Sequence, residues 1–296
     1  MSEVGLRGCG TALVTPFDTA GELDEAALRA LVDWQIEQGV HFLVPCGSTG
    51  EAATLSREEH LRVVSIVAEQ ADGRVPVVAG AGGNDTREAV DFTGLVAAAG
   101  ATHVLHVSPA YNRPPQRGIV AHFTTIADSA PVPLVLYNVP GRTASNMAAE
   151  TTLELAEHPN VMAVKEASGD PDQVAEILRN RPPGFSVLSG DDSHTLPLMA
   201  LGADGVISVV SNIVPAAIAR LVDVCHAGDY SAARSLQYEL LPLMKQAFVE
   251  TNPMPVKFAL AHSGRIQNHL RLPLVPLGPE YHSGVIAALS AAEAAS

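Results

Sequence analysis

Residues 102–137, THVLHVSPAYNRPPQRGIVAHFTTIADSAPVPLVLY, contain one complete copy of the pattern that decides the fold. Two short apolar runs, Thr102–Val107 and Pro133–Tyr137, are separated by a polar break and a longer amphipathic stretch. Runs that are apolar almost throughout predict strands buried on both faces, as in a parallel sheet. The stretch between them predicts the helix that connects two such strands.

The same pattern occurs eight times along the 296 residues. The eight apolar runs are Cys9–Phe17, His41–Cys46, Val75–Ala79, Thr102–Val107, Pro133–Tyr137, Val161–Lys165, Phe185–Leu188 and Gly205–Val210. Between them lie signals for helix starts: Ser56 and Glu59 form a capping box, and Asp170-Pro171 matches an N-cap followed by a first-turn proline. Eight alternating units of this size predict an α/β fold, a (β/α)₈ TIM barrel.

The part of the chain after the eighth run has a different pattern. From Pro215 to about Ala292 the sequence carries helix patterns only, which is more than one barrel helix requires. We therefore predict a barrel domain over residues 1–222 and a C-terminal α-helical extension of two or three helices over residues 223–296.

Composition and charge exclude several classes of function. The chain is 47% hydrophobic with a formal net charge of −14, so an acidic surface disfavours nucleic acid and anionic membranes as partners. No apolar run approaches the roughly 18 residues of a membrane span. The first ten residues show no signal-peptide pattern, and Cys9, Cys46 and Cys225 lack metal-finger spacing. We expect a cytoplasmic protein.

Lys165 is the clearest candidate for catalysis. It is one of only three lysines, and it ends the sixth apolar run, whereas Lys245 and Lys257 fall in the helical extension, where exposed lysines are expected. Active sites of (β/α)₈ barrels lie at the carboxyl ends of the strands. A lysine there would be desolvated, which lowers its pKa and frees the amine to attack a carbonyl. A lysine paired with a carboxylate is the alternative, but the neighbouring Glu166 would face the other side of the strand.

Other strand ends carry groups that suit the same chemistry. Tyr137 could move a proton to or from a substrate oxygen, or simply fill the barrel mouth. The segment Gly47–Glu51 could expose backbone N–H groups to a carboxylate, or form an ordinary turn. Arg142 suits bidentate carboxylate binding, although alone it would be taken for a surface residue. Tyr111 lies in a proline-stiffened loop, which predicts that it caps its own barrel or enters a neighbouring subunit.

No metal site is expected. Asp191, Asp192 and His194 could bind a metal, but their position favours a role at the start of the next helix.

Several segments together give the chain a resemblance to a known family. They are Gly47–Glu51, Tyr111–Pro114, Tyr137–Thr143, Val164–Ala167, Ser189–Asp192, Gly205–Ser208 and Asn252–Lys257. On these motifs the whole chain resembles the dihydrodipicolinate synthase family, within the N-acetylneuraminate lyase superfamily. The resemblance implies condensation of pyruvate with L-aspartate 4-semialdehyde to 4-hydroxy-tetrahydrodipicolinate, a step of lysine and diaminopimelate biosynthesis.

The resemblance also implies residue roles. Lys165 would form the Schiff base with pyruvate, Tyr137 would act as general acid and base, and Ser48 and Tyr111 would relay its proton. Tyr111 would come from the partner subunit of a homotetramer built from two dimers. The implied substrate-binding residues are Gly47, Thr49, Arg142 and Ile207. No cofactor is expected, since the lysine–pyruvate Schiff base supplies the covalent chemistry.

Two departures from the family pattern affect specificity and regulation. Most synthases have threonine where this chain has Ser48, and serine is common in sialic acid lyases, which however lack an arginine at the position of Arg142. Members inhibited by lysine often carry an aromatic residue where this chain has Ala110, so strong lysine feedback is not expected. The possible allosteric residues are Arg57, His60, Asn84, Glu88 and Ala110.

Two other functions compete with this one. The first is a Schiff-base aldolase or dehydratase of the same superfamily that acts on a 2-keto-3-deoxy sugar acid or on sialic acid. The second is a barrel without catalytic activity that binds a small acid. Arg142 argues against the first, and the combination of Lys165 with Tyr137, Ser48 and Tyr111 argues against the second.

Overall fold

The computed structural model describes residues 5–294, so Met1–Val4 and the last two residues lie outside it. The described residues therefore do not include the first four positions of the N-terminal segment, where no signal peptide is expected. They also do not include the outer ends of the two predicted domains. Eight strands are present in this range: β1 Gly8–Ala12, β2 Phe42–Val44, β3 Val78–Gly80, β4 His103–Val107, β5 Leu134–Asn138, β6 Val161–Glu166, β7 Ser186–Ser189 and β8 Gly205–Ser208.

The strands form one parallel sheet that curls into a barrel. Their order is β2-β1-β8-β7-β6-β5-β4-β3, and each neighbouring pair is parallel. Two backbone hydrogen bonds join the outer strands: Leu43 N–H donates to Pro76 O (3.0 Å), and Gly80 N–H donates to Pro45 O (3.0 Å). The prediction of a (β/α)₈ barrel is confirmed.

Helices surround the barrel and continue beyond it. They are α1 Glu25–Glu37, α2 Arg57–Ala71, α3 Thr86–Ala98, α4 Gln116–Ser129, α5 Pro140–Thr143, α6 Ala149–Ala156, α7 Pro171–Asn180, α8 Thr195–Ala200, α9 Pro215–His226, α10 Tyr230–Gln246, α11 Met254–His262 and α12 Pro279–Ala294. The predicted capping box of Ser56 and Glu59 starts α2, and the Asp170 side chain caps α7 by accepting from Asp172 N–H and Gln173 N–H.

The first apolar run extends beyond its strand. It was predicted as a strand over Cys9–Phe17, but β1 ends at Ala12. The remaining residues form the mouth of the barrel, where Leu13, Val14 and Phe17 are buried. An apolar run reports burial, and a buried loop is as apolar as a buried strand.

Up to Ala294, where the described part of the chain ends, three helices follow the last barrel helix: α10, α11 and α12. Two or three were expected. Residues 263–278 between α11 and α12 are irregular, because prolines and a left-handed Gly264 (φ +71°) interrupt the helix pattern. The predicted domain boundary after residue 222 falls within α9, which packs on β1 and β8 and also on α10. The division into two domains stays a prediction.

One continuous apolar core fills the barrel and the space beneath the helices. In the described part of the chain, no helix has both the length and the hydropathy of a membrane-spanning segment.

Candidate active site

Lys165 and Tyr137 lie side by side at the carboxyl end of the sheet. Lys165 belongs to β6 and Tyr137 to β5, and the two residues are partners in the register of these strands. Residues opposite each other in neighbouring strands project to the same face of the sheet. Accordingly, the Lys165 Nζ lies 4.3 Å from the centroid of the Tyr137 ring. Only 6% of Lys165 is exposed.

The amine of Lys165 is desolvated and forms no ion pair with any residue that the structure describes. Burial lowers the pKa of Lys165 to about 8, while the charge of Asp192 raises it and that of Arg142 lowers it further. Among residues 5–294, no carboxylate oxygen lies within 4 Å of its Nζ. Glu166 instead accepts hydrogen bonds from Asn138 Nδ2 (3.1 Å) and from Ser168 N–H (2.7 Å). The predicted separation of Glu166 from the Lys165 amine is confirmed.

Tyr137 is buried and keeps its proton. Burial raises the pKa of Tyr137 to about 12, against a lowering by the nearby charge of Arg142. At neutral pH the phenol is therefore a hydrogen-bond donor that can give a proton to an oxygen above the Lys165 amine.

The loop after β2 contains two backbone N–H groups that have no acceptor among the described residues. Gly50 N–H donates to Gly47 O (3.1 Å) and Glu51 N–H to Ser48 O (3.2 Å), which folds the loop into a tight turn. A Cβ on Gly50 would lie 3.0 Å from Cys46 N and from Leu13 O, so any larger residue would have to push backbone atoms aside and this position favours glycine. Within the described residues, the N–H groups of Ser48 and Thr49 have no acceptor. Unpaired N–H groups in such a turn form an anion-binding concavity.

The side chains of the same loop point in different directions. Thr49 is buried, and its Oγ1 accepts a hydrogen bond from Asn252 Nδ2 (2.8 Å). Ser48 is exposed and lines the cavity above the barrel. In the part of the chain that the structure describes, no hydrogen bond joins the hydroxyls of Ser48, Tyr111 and Tyr137.

Tyr111 and Arg142 lie at the rim. Tyr111 is 93% exposed with a left-handed backbone (φ +65°), so the loop directs its ring away from its own barrel. Arg142 lies in α5, immediately after β5, and its Nη2 is 3.5 Å from Asn252 O. The Arg142 side chain is exposed to the cavity and available to an anionic ligand.

A cavity of about 1090 Å³ connects two of the predicted residue groups. Of the predicted catalytic residues, Ser48 and Tyr137 line it, whereas Lys165 and Tyr111 do not. Of the predicted substrate-binding residues, Gly47 and Arg142 line it and Thr49 does not. The possible allosteric residues in the lining are Arg57, His60, Glu88 and Ala110. Asn84 belongs to the same region, since its Oδ1 accepts from Ala110 N–H (3.1 Å). Ile207 is buried within β8 and does not line this cavity.

One expectation about a charged residue was wrong. Lys257 is not a surface lysine: it is fully buried, and its Nζ lies 2.6 Å from Glu51 Oε1. Asp191, Asp192 and His194 do lie at the start of the next helix: Asp191 accepts from Ser193 N–H (3.0 Å) and caps a 3₁₀ turn over Asp192–His194, which leads directly into α8. Asp192 is buried and accepts from the N–H groups of Val209 (3.0 Å) and Val210 (3.2 Å), which brace the end of β8.

Asn252 also contacts the catalytic loop, a role that no local sequence pattern predicts. Asn252 lies just before α11, at a distance of 203 residues from Thr49 along the chain. Only the position of Asn252 within a family motif could have drawn attention to it. Across residues 5–294, no cluster of three or more His, Cys, Asp or Glu side chains is arranged to hold a metal ion.

The matching family model, a sequence relative and two solved structures that resemble this chain all belong to one enzyme family. The profile described as "Dihydrodipicolinate synthetase family" matches residues 5–292. A 4-hydroxy-tetrahydrodipicolinate synthase of Koribacter versatilis is 52% identical over 276 residues, 93% of this chain and 92% of the relative. The crystal structure of dihydrodipicolinate synthase from Aquifex aeolicus superposes with a TM-score of 0.94 at 42% identity, covering 96% of this chain and 97% of the other. The enzyme from Cyanidioschyzon merolae, solved with lysine bound, superposes with a TM-score of 0.95 at 40% identity over 99% of both chains.

Proposed function

Because the chain belongs to the dihydrodipicolinate synthetase family, we infer that it is a lyase of the class I aldolase type, and we propose how its residues carry the reaction. Its activity is that of a 4-hydroxy-tetrahydrodipicolinate synthase, as in the curated relatives. The substrates are pyruvate and L-aspartate 4-semialdehyde. The observation that carries the residue assignment is the desolvated, unpaired amine of Lys165 beside the phenol of Tyr137.

The proposed reaction begins with attack of the Lys165 amine on the keto carbon of pyruvate. Tyr137 donates its proton to the departing oxygen, which leaves as water, and the Schiff base forms. Loss of a proton from the pyruvate methyl group gives an enamine, and its carbon attacks the aldehyde carbon of the second substrate. The aldehyde oxygen takes up a proton and becomes the hydroxyl group. The amino group of the semialdehyde then adds to the Schiff-base carbon, and the Lys165 amine leaves with a proton, which releases the hydroxylated tetrahydropyridine dicarboxylate. The burial that lowers the pKa of Lys165 and raises that of Tyr137 supports both roles.

Two separate groups are proposed to bind the two carboxylates. The N–H groups of Ser48 and Thr49, next to Gly47, would bind the carboxylate of pyruvate, because they have no acceptor among the described residues. The guanidinium of Arg142 would bind the carboxylate of the semialdehyde at the cavity rim. Ile207 would shape the Schiff-base pocket through its backbone in β8.

The proton relay is proposed to need a second subunit. Tyr111 projects away from its own barrel, which suits entry into the site of a neighbour, where it would join Ser48 and Tyr137. We propose a homotetramer built as a dimer of dimers. No metal and no organic cofactor takes part in the proposed reaction, and the protein is proposed to be cytoplasmic, without nucleic-acid or membrane partners.

Regulation by lysine is proposed to be weak. The relative from Cyanidioschyzon merolae was solved with lysine bound. In this chain the corresponding region contains Arg57, His60, Asn84 and Glu88, but Ala110 supplies no ring to cover a ligand. Inhibition by lysine is expected to be slight at concentrations that strongly inhibit a family member with an aromatic residue there.

A coupled assay with pyruvate and a panel of aldehydes tests the assignment of the second substrate. We expect the largest kcat/KM with L-aspartate 4-semialdehyde and a loss of about tenfold or more in the Arg142→Ala variant, because Arg142 would bind its carboxylate. A larger kcat/KM with a sugar aldehyde or with N-acetylmannosamine would instead assign the chain to the sugar-acid or sialic acid lyases. No turnover with any aldehyde and no pyruvate adduct would indicate a barrel that only binds small acids.

A further inference from the structure

A buried ion pair joins the catalytic loop to the C-terminal extension. Lys257 Nζ of α11 lies 2.6 Å from Glu51 Oε1, and both side chains are fully buried. The two residues are 206 positions apart in sequence. Taking two charges out of water is costly, and a buried pair is often no more stabilising than apolar residues of similar size. A contribution to the stability of the fold therefore does not by itself explain why this ion pair is present.

The other contacts of Glu51 and Lys257 fix the pair in place. The second carboxylate oxygen of Glu51 accepts the N–H of Arg271 (3.1 Å). Lys257 Nζ lies 4.4 Å from the centroid of the Phe17 ring, and the Arg271 guanidinium lies 4.3 Å from it. Both oxygens of the Glu51 carboxylate are therefore bonded, one to Lys257 and the other to Arg271, which fixes its position from two sides. We call these residues the Glu51 cluster: Phe17, Glu51, Lys257 and Arg271.

The Glu51 cluster is joined by one backbone hydrogen bond to Ser48, in the turn that carries the two N–H groups. Glu51 has a left-handed backbone (φ +53°), and its N–H donates to the carbonyl of Ser48 (3.2 Å). The same C-terminal segment also contacts the neighbouring residue, since Asn252 Nδ2 donates to Thr49 Oγ1 (2.8 Å). The turn that carries the Ser48 and Thr49 N–H groups is therefore held at Thr49 and at Glu51 by the C-terminal extension.

We propose that Glu51 and Lys257 are positioning residues that set the Ser48 and Thr49 N–H groups for the carboxylate of the keto acid. This inference rests on the proposed function, because it assumes that pyruvate is the acid bound at this turn. It assigns the C-terminal extension a part in selecting the first substrate. Binding of the second substrate, whose carboxylate would be held by Arg142, is independent of the Glu51 cluster.

The test compares the KM values of the two substrates in a variant that removes both charges. Glu51→Gln combined with Lys257→Met avoids leaving one buried charge unpaired, which would unfold the protein for unrelated reasons. We expect the KM for pyruvate to rise about tenfold, with kcat and the KM for L-aspartate 4-semialdehyde changed by less than about twofold. The matched control is Glu58→Gln with Lys245→Met, which removes the same charges from exposed positions and should leave both KM values unchanged.

A second variant keeps the test decisive if the double variant does not fold. Glu51→Asp retains both charges but withdraws the carboxylate by one methylene. It should raise the KM for pyruvate selectively, by a smaller factor than the double variant. Folded variants with a wild-type KM for pyruvate, or with equal increases for both substrates, would overturn the inference.

Borohydride trapping separates this inference from the proposed function. With no aldehyde present, the pyruvate concentration that gives half-maximal adduct should rise in the Glu51 variants, while saturating pyruvate should still modify Lys165 completely. The same half-maximal concentration in wild type and variants would overturn the positioning role alone. No adduct in the wild type would overturn the proposed function itself.

Discussion

The reactivity of Lys165 follows from its surroundings. A lysine with a pKa of about 8 is about one-tenth neutral at pH 7, whereas an ordinary surface lysine is neutral in only about one molecule per few thousand. The opposing charge that acts on Lys165 is that of Asp192, which is buried and whose pKa burial raises to about 6. At pH 7 Asp192 is mostly ionised, and its charge keeps the pKa of Lys165 from falling further.

Replacing Asp192 by Asn should make Lys165 more acidic. The negative charge of Asp192 favours the ammonium form, so its removal lowers the pKa of Lys165 below about 8. The rate of adduct formation at low pyruvate should rise with pH around a midpoint near 8 in the wild type and around a lower midpoint in the variant. A midpoint that stays in place or moves upward would exclude electrostatic control by Asp192.

The sequence predicts which residues lie in the active site when they stand at the ends of strands. It does not predict a residue's environment when its partner is far away along the chain. Lys165 and Tyr137 end apolar runs, and the barrel rule places such residues in one mouth. Lys257 was misjudged because its partner Glu51 lies 206 positions earlier. Local patterns contain no information on how the C-terminal helices fold back over the barrel.

At the level of elements, the Glu59 side chain at the start of α2 makes two kinds of contact: it caps the helix, and it pairs with Arg271 in the loop before α12. Ser56 N–H donates to Glu59 Oε2 (2.8 Å), which completes the capping box. The Glu59 carboxylate also binds Arg271, whose Nη1 lies 2.8 Å from Oε2. Arg271 lowers the pKa of Glu59 to about 2. The capping box could be predicted from local spacing, but the link to Arg271 depends on the long loop between α11 and α12.

The Glu59→Gln variant should lose stability in a pH-dependent way. Gln keeps an acceptor for the capping box but loses the charge that pairs with Arg271, at a cost of about 1–3 kcal/mol in the free energy of unfolding at pH 7. Because the folded pKa of Glu59 is depressed, its contribution is complete above its ordinary value of 4.5 and is lost as the pH falls through about 2. Urea unfolding should therefore show a difference between wild type and variant that shrinks below pH 4.5.

A constant difference in unfolding free energy from pH 7 down to pH 3 would contradict this account. Glu58→Gln is the control, since Glu58 lies in the same helical turn and makes no ion pair with Arg271.

The strands and most helix starts were predictable because burial on both faces and capping leave local signatures. Strand ends were less so: β1 is five residues long although its apolar run continues for five more, because those residues are buried in the barrel mouth. Residues 263–278 were included in a helical region but are irregular, since prolines interrupt an otherwise apolar pattern.

At the scale of the whole molecule, the described residues of a single chain do not form the hydrogen-bonded proton relay that is proposed for the site. Tyr111 is 93% exposed, and no hydrogen bond links it to Ser48 or Tyr137 within residues 5–294. An assembly of subunits in which each Tyr111 enters its neighbour's cavity would close this gap. Sequence alone could predict the exposure of Tyr111 from its proline-rich loop, but the neighbour follows only from the family resemblance.

Mixing two impaired variants tests whether Tyr111 acts between subunits. Lys165→Ala should be inactive, and Tyr111→Phe should be slowed by at least about tenfold. In dimers formed by co-expression, a Tyr111→Phe subunit would receive an intact Tyr111 from a Lys165→Ala partner. About a quarter of all sites would then be complete, and activity should exceed that of either variant. Activity equal to the mean of the two separate variants would show that each Tyr111 serves its own barrel.

The central claim is that the buried amine of Lys165 bonds covalently with pyruvate. Borohydride reduction in the presence of pyruvate, followed by intact mass and peptide mapping, measures this directly. The account predicts one reduced pyruvate per chain, located on Lys165, and no modification of Lys245, of Lys257 or of the Lys165→Ala variant. An unmodified wild-type chain, or equal trapping in Lys165→Ala, would contradict it.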